Sequence, residues 1–499
     1  MEMLVSSIWA VLQPDVILAM ALGTIFGIIV GALPGLGSIL AITIALPFTF
    51  AMGQVAAISL VIAVYCSSVF GGSISAILIN TPGTPQSAAT CLDGYPMTRA
   101  GHADAALGWA ATASLIGGLF STVVLIFAAP RLAQFALGFG AIETFALITV
   151  ALTCIIGVAQ GSLIKGLLAG VFGLFLSTVG IDQMTGQARF TFDVFAMSNG
   201  FPLLPVIVGL FAFGEVFYRL GTKAVSAGES GVRVGMKIPK LKEILLRWKT
   251  VLRSCLIGTF VGILPGTGAA TASFISYAEA KRSGRYRDKL GTGEPEGIIA
   301  AEASNNGVTG GALVPTLALG IPGDPVTALM MSALIIQGIQ PGVRLFSENP
   351  GLMNSTFVAL IVCNILMFVA ALVMAPILTR TLRVPEPLLM TAVLVLSVVG
   401  SYGASGRMFD VGVGIFFGIV GVALRFLKVP IAPIVIGLVL GPIFEESLRQ
   451  GLIITDNNFL SFMSLEYPLA MILLLLAASI VLVSAFRETR KALDYKKQK

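Results

Sequence analysis

Charge is scarce in this sequence. Of its 499 residues only 11% are Asp, Glu, Lys or Arg, while 56% are hydrophobic. A soluble domain carries roughly 25% charged residues, so an ordinary water-exposed surface is excluded for most of the chain. Basic residues are missing altogether ahead of Arg99. The single histidine, His102, stands in a loop beside Arg99, where it reads as a solvated residue and not as a catalyst. The five cysteines (Cys66, Cys91, Cys154, Cys255, Cys363) are odd in number, scattered and mostly within apolar runs. That pattern suggests neither a disulfide framework nor a metal site. No H-E-x-x-H zinc motif, P-loop lysine motif or G-x-S-x-G elbow occurs, so the usual enzyme signatures are lacking. The net charge of +6 does not point to nucleic acid, because Lys and Arg concentrate in loops between apolar runs and in the C-terminal tail. This is the distribution of topology signals in a polytopic, all-helical membrane protein embedded in a lipid bilayer.

Apolar runs fall near 105–129, 142–158, 163–180 and 201–217, and again near 352–378, 388–399, 411–424, 431–440 and 469–486. A crossing helix needs about 20 apolar residues; the run at 431–440 is the shortest of the set. Basic loops stay in the cytoplasm. That rule places Arg219, the linker up to Arg253, the loop 281–296, Arg380, Arg383, Arg425, Lys428 and the tail 487–499 inside. The N-terminus is then expected on the periplasmic side and the C-terminus in the cytoplasm. Arg131 and Arg189 fall outside in this scheme.

The most informative stretch is Gly262-Ile263-Leu264-Pro265-Gly266-Thr267-Gly268, in the middle of the apolar run Ser254–Ala280. Pro lacks an N–H and clashes with the preceding turn, so one straight helix does not pass through it. Both flanks are basic, from Lys237 to Arg253 and from Lys281 to Lys289. If both are cytoplasmic, the run enters and returns as a re-entrant hairpin; the alternative is a kinked helix with one basic flank outside. Non-helical backbone at membrane depth survives where protein or a water-filled cavity covers it. The same G-x-L-P-G-x-G pattern occurs at Gly31-Ala32-Leu33-Pro34-Gly35-Leu36-Gly37. Farther on, Thr81-Pro82-Gly83-Thr84-Pro85 has its counterpart in Ile321-Pro322-Gly323-Asp324-Pro325, with Gly71-Gly72 and Gly310-Gly311 between the paired motifs.

The chain therefore divides into a first transmembrane repeat over 1–219 (hairpin 16–50, broken helix 54–91) and a basic cytoplasmic linker over 220–253. A second repeat follows over 254–486 (hairpin 254–280, broken helix 297–337), then the basic tail 487–499. Charge asymmetry makes the repeats inverted, one hairpin entering from each side. The span lengths imply about 11–12 transmembrane helices in all. Gly/Pro-interrupted segments in matching positions of two halves point to a transporter binding site.

Helix N-termini carry unpaired N–H groups that suit carboxylates, and unwound turns offer carbonyl oxygens that suit Na+. The candidate substrate residues are accordingly Pro34, Gly35, Leu36, Gly37 and Ser38 at the first tip and Pro265, Gly266, Thr267, Gly268 and Ala269 at the second. Asn80, Thr81, Gly83 and Thr84 join them from the first break, and Pro322, Gly323 and Asp324 from the second. Neither tip contains Lys or Arg, so an anionic substrate would rely on helix ends, hydroxyls and a co-bound cation. Candidate ion ligands are Glu302, Ser304, Asn305 and Asn306, with the backbone at Gly35 and Gly266. An ionisable residue in a membrane span is a functional hypothesis by default. Glu302 either coordinates a cation or takes a proton, or it sits solvated near the cytoplasmic interface. Asp324 is either an ion ligand or the cap of a half-helix beginning at Pro325. A membrane-embedded enzyme using Glu302 and Asp324 is the alternative function.

Taken in order, Gly31–Gly37, Leu46-Pro47-Phe48, Leu92-Asp93-Gly94-Tyr95-Pro96-Met97 with Arg99, Gly262–Gly268, Ala303-Ser304-Asn305-Asn306 and Leu319-Gly320-Ile321-Pro322-Gly323 form a specific series. It resembles the large membrane subunit of the tripartite tricarboxylate transporters, the TctA family, over nearly the whole chain. The resemblance implies a permease of the bacterial inner membrane, not an enzyme. It also implies two partners, a small membrane subunit and a periplasmic solute-binding protein that delivers a small carboxylate. Uptake in such systems is secondary, driven by a cation gradient (Na+ before H+), with no ATP hydrolysis and no cofactor.

Overall fold

The computed structural model describes residues 2–158, 163–182, 184–220, 235–266, 268–381, 386–403 and 405–497. Thr267, Arg383 and linker residues 221–234 lie outside them. Helices follow one another almost without interruption: α1 (Glu2–Val11), α2 (Pro14–Ala32), α3 (Gly37–Ala45), α4 (Gln54–Ile79), α5 (Cys91–Arg99), α6 (Ala103–Ala136), α7 (Ala141–Val158) and α8 (Leu163–Ser177). A two-stranded antiparallel ribbon, β1 (Gly180–Ile181) and β2 (Ala188–Arg189), precedes α9 (Leu203–Ile207) and α10 (Gly214–Leu220). Then come α11 (Leu241–Leu246), α12 (Trp248–Ile263), α13 (Gly268–Ser283), α14 (Pro295–Leu319), α15 (Pro325–Ile336), α16 (Leu345–Glu348), α17 (Pro350–Thr381), α18 (Glu386–Gly403), α19 (Met408–Phe426), α20 (Ala432–Ile454) and α21 (Pro468–Lys497). The protein is an all-α polytopic membrane protein. Among the described residues seven helices are long and apolar enough to cross a bilayer.

The chain forms two compact units, one of 1–133 with 219–403 and the other of 134–218 with 404–499. In the first unit, α2 and α3 pack on α4, and α12 and α13 pack on α14 in the same way. The fit depends on bare backbone. A Cβ at Gly31 would stand 2.3 Å from the Ser68 carbonyl, and one at Gly258 would stand 2.2 Å from that of Ser304. Close approach of this kind is how helices associate where lipid tails remove the usual hydrophobic drive. Both α4 and α14 are buried on nearly every face. That explains why neither shows an amphipathic stripe: with no side facing water there is no polar face to separate, and the polar residues of α14 are buried too.

In the second unit, α20 packs on α8 and α7, and α21 on α7. Gly173 lies against the Ile434 carbonyl and Gly437 against that of Gly170. The segment between α9 and α10 (Val208–Phe213) has π-helical bonding, so 203–220 is one continuous helical run. The short apolar run at 431–440 is only the start of the 23-residue α20, which continues through Pro442 to Glu445, Glu446 and Arg449. Glu445, Glu446, Arg449 and Gln450 lower the hydropathy of this extension, so the apolar run stops short of it.

Candidate functional site

Each G-x-L-P-G-x-G stretch makes the same turn. The first arm ends at Ala32 or Ile263, and the next residue, Leu33 or Leu264, donates its N–H to the carbonyl three back at 3.2 Å in both copies. Gly35 and Gly37 have φ of 80° and 71°; Gly266 and Gly268 have 83° and 70°. These left-handed values favour glycine, which is the physical reason for the spacing of the last two glycines. The second arms, α3 and α13, start at Gly37 and Gly268.

The paired breaks also match. α4 ends on Asn80 (φ 55°, ψ 27°) and α14 on Gly320 (φ 69°, ψ 25°), each donating its N–H to the carbonyl five residues back. Each Pro-Gly then sits against its own hairpin. A Cβ at Gly83 would stand 2.1 Å from the Gly31 carbonyl, and the Gly266 N–H donates to the Gly323 carbonyl at 2.8 Å. Beyond the breaks the two copies exchange partners. α3 of the first hairpin packs against α15, and α13 of the second packs against the 3-10 turn Pro85–Ala88.

The proposed substrate residues separate into groups. Gly35 is exposed, Pro34, Gly37, Pro265, Gly266 and Gly268 are half-buried, and Leu36, Ser38 and Ala269 are buried. The Ser38 hydroxyl, in the first turn of α3, has no hydrogen-bond partner among the described residues. Asn80 and Thr81 are exposed. Thr84 is buried and stands where a Cβ on Gly72 would be. Pro322 and Gly323 are buried in the second break.

Asp324 makes the bonds of a helix cap. It is the N-cap of α15: Oδ1 accepts the Thr327 N–H at 2.7 Å, and the Thr327 hydroxyl returns a bond to the Asp324 backbone. Its Oδ2 accepts from the Tyr65 hydroxyl at 2.7 Å. Tyr65 was invisible to motif reasoning, since a lone Tyr in an apolar run carries no pattern.

Glu302 is fully buried in the middle of α14, which removes the solvated alternative. Its Oε1 accepts from the Ser73 hydroxyl at 2.6 Å and from the Thr90 hydroxyl; its Oε2 accepts from Ser114 at 3.0 Å. Residues three and four apart share a helix face, so Asn305 and Asn306 lie on the Glu302 side of α14. Asn306 Nδ2 donates to the Cys66 carbonyl at 3.4 Å. Asn305 has both amide atoms buried without a partner among the described residues. Ser304 does not join this face: its hydroxyl donates back to Ala300 and Ala301 and its backbone faces Gly258. Ser73, Thr90 and Ser114 went unnoticed in the sequence because isolated hydroxyls in apolar segments have no spacing rule.

The L-D-G-Y-P-M stretch has a separate structural role. Asp93 Oδ1 accepts the N–H groups of Gly291, Gly293 and Glu294 at 2.8–2.9 Å, and Oδ2 accepts from the Tyr277 hydroxyl. One carboxylate thus fastens the loop that leads into α14.

The model of the Tripartite tricarboxylate transporter TctA family matches residues 17–436, a range that holds both tips, both breaks and the Glu302 cluster. The chain belongs to the TctA family. It is similar to an uncharacterized 52.8 kDa protein of the TAR-I ttuC' 3' region of Agrobacterium vitis, at 37% identity over 95% of this chain and 93% of the relative. A second Agrobacterium vitis protein, uncharacterized and from the TAR-II ttuC' 3' region, is 32% identical over 48% of this chain and 97% of its own length. No solved structure matches the chain. Membership makes this TctA protein a multi-pass subunit of a tripartite transporter system.

Proposed function

We propose that this TctA protein is the permease subunit that imports a small di- or tricarboxylate into a bacterial cell by Na+ symport. It works in the inner membrane, C-terminus in the cytoplasm, with a small membrane subunit and a periplasmic solute-binding protein. The observation that supports this most is the doubled tip-and-break arrangement, in which each hairpin rests on its own Pro-Gly break and reaches across to the other repeat. We assign the repeats to 1–219 and 254–486 and read each tip as a re-entrant turn. The carboxylate would meet the starts of α3 and α13, where N–H groups favour anions and the unpartnered Ser38 hydroxyl is a ready donor.

A catalytic pair is the poorer reading. Asp324 is engaged by Thr327 and Tyr65, and Glu302 by three hydroxyls of its own. The test is uptake of labelled di- and tricarboxylates into proteoliposomes that hold this chain with its small membrane partner. Purified binding protein is added, and an inward Na+ gradient is imposed or withheld. Uptake that needs both supports the proposal. Uptake indifferent to the binding protein or to any cation gradient, or no uptake of any carboxylate, overturns it.

A further inference from the structure

Glu302 is a fully buried carboxylate in α14, and no ion pair of the described residues includes it. A buried charge left without a countercharge costs several kcal/mol, so such a residue calls for a partner. The groups within reach are all hard oxygens: the two carboxylate oxygens and the hydroxyls of Ser73, Thr90 and Ser114. Hydroxyls turn easily, and each can donate to the carboxylate or offer a lone pair to a cation. A cation seated among these oxygens would supply the countercharge that the surrounding protein does not. One negative charge balances one monovalent cation. Ca2+ takes six to eight oxygen ligands, typically with several carboxylates. Among the described residues no group of three or more His, Cys, Asp or Glu is placed to hold a metal. Asn305, one turn along the same helix face, keeps both amide atoms buried and unpartnered, an independent sign that this side of α14 is built around something more than protein.

We propose that Glu302, Ser73, Thr90 and Ser114 form a Na+ site that ties the second repeat to the first. Three of the four come from first-repeat elements (α4, the start of α5, and α6) and the carboxylate comes from α14. Na+ bound there would hold α14 against all three. The site has no twin: aligning Gly71-Gly72 with Gly310-Gly311 places Ala63 opposite Glu302. This geometry therefore supplies one such site per chain. The proposal rests on the symport reading above and names where the coupling ion sits.

The first measurement is thermal unfolding of the purified chain in detergent, in NaCl against equal KCl or choline chloride. A ligand that binds only the folded state raises its midpoint by mass action. Wild type should show a Na+-specific rise, Glu302→Gln should lose it, and Ser114→Ala should need about tenfold more NaCl for the same rise, the loss of one charge-assisted bond. A rise that persists unchanged in Glu302→Gln overturns the site. So does a wild type that responds equally to all three salts, or that responds to pH and not to Na+. Ser114→Ala keeps the test decisive if Glu302→Gln does not fold. Because this readout needs neither carboxylate nor partner subunits, a Na+ shift in a protein that moves no carboxylate would sink the transport reading and leave the site standing. In vesicles, Ser73→Ala and Ser114→Ala should raise the Na+ concentration for half-maximal uptake about tenfold with the maximal rate kept.

Discussion

Single residues at the tips separate two roles of glycine. At Gly37 and Gly268 a Cβ meets nothing within 4 Å, so an alanine there pays only for its left-handed backbone. That cost is about 1–2 kcal/mol. At Gly83 a Cβ would press on the Gly31 carbonyl at 2.1 Å, and neither backbone can give way cheaply. Thermal unfolding should therefore show Gly37→Ala and Gly268→Ala folded but lowered by a few degrees, with Gly83→Ala far worse or not recovered as a monodisperse species. Equal effects at all three would refute the distinction. Asp324 makes a second residue-level prediction. Asn caps a helix about as well as Asp; with its one oxygen on the Thr327 N–H, its amide nitrogen faces Tyr65, whose hydroxyl can turn to accept, so Asp324→Asn should fold and remain active in uptake. Asp324→Ala removes the cap, worth about 1 kcal/mol, and orphans a buried hydroxyl at a further 1–3 kcal/mol. If Asp324→Asn folds normally yet transports nothing, the charge does more than cap.

At the scale of elements, the hairpins are held by backbone-to-backbone packing. α12 can reach α14 only because Gly258 exposes its Cα to Ser304. Gly258→Leu should force the arms apart and lower the yield of folded protein severalfold, judged by size-exclusion profile, whereas Phe260→Leu on the exposed face of α12 should leave it unchanged. The tip turns and the helix breaks were legible in the sequence because Pro and Gly carry their geometry with them wherever they occur; the seating of each break on its own hairpin was not. The exchange of partners, α3 with α15 and α13 with the turn after α4, was not. Those contacts join elements far apart in the chain, and no local pattern in either element names its partner.

Over the whole molecule, the second unit carries its own polar network. Asp182 accepts from Arg449 and Thr185, each at 2.7 Å, and from the Met184 N–H; Arg449 also pairs with Glu445, which Arg189 engages through its two terminal guanidinium nitrogens. Asp182, Met184, Arg189, Glu445 and Arg449 line a cleft of about 800 Å³. The Arg449 guanidinium, then the Thr185 hydroxyl and the Met184 N–H, hold the Asp182 carboxyl well below the usual carboxylate range. A depressed folded-state pKa adds stability above the unfolded value, near 3.9, and loses it as pH falls through the folded one. Asp182→Asn should therefore unfold at lower temperature than wild type at pH 7, and the gap should narrow as the pH is taken below about 4. A gap that stays constant with pH would show that the carboxylate's charge is not what matters.

The sequence by itself determined the class of molecule, the duplicated tips and breaks, and the family. Each of these is written in local chemistry: sparse charge, basic loops, and Pro or Gly at positions where the backbone must turn. It left Glu302 and Asp324 looking alike, two carboxylates in apolar surroundings. Only the tertiary structure told them apart. Asp324 meets its own helix start and Tyr65, while Glu302 meets hydroxyls from α4, α6 and the N-cap of α5. What a buried charge does depends on what folding brings to it, and those partners lie too far along the chain for any local pattern to name them.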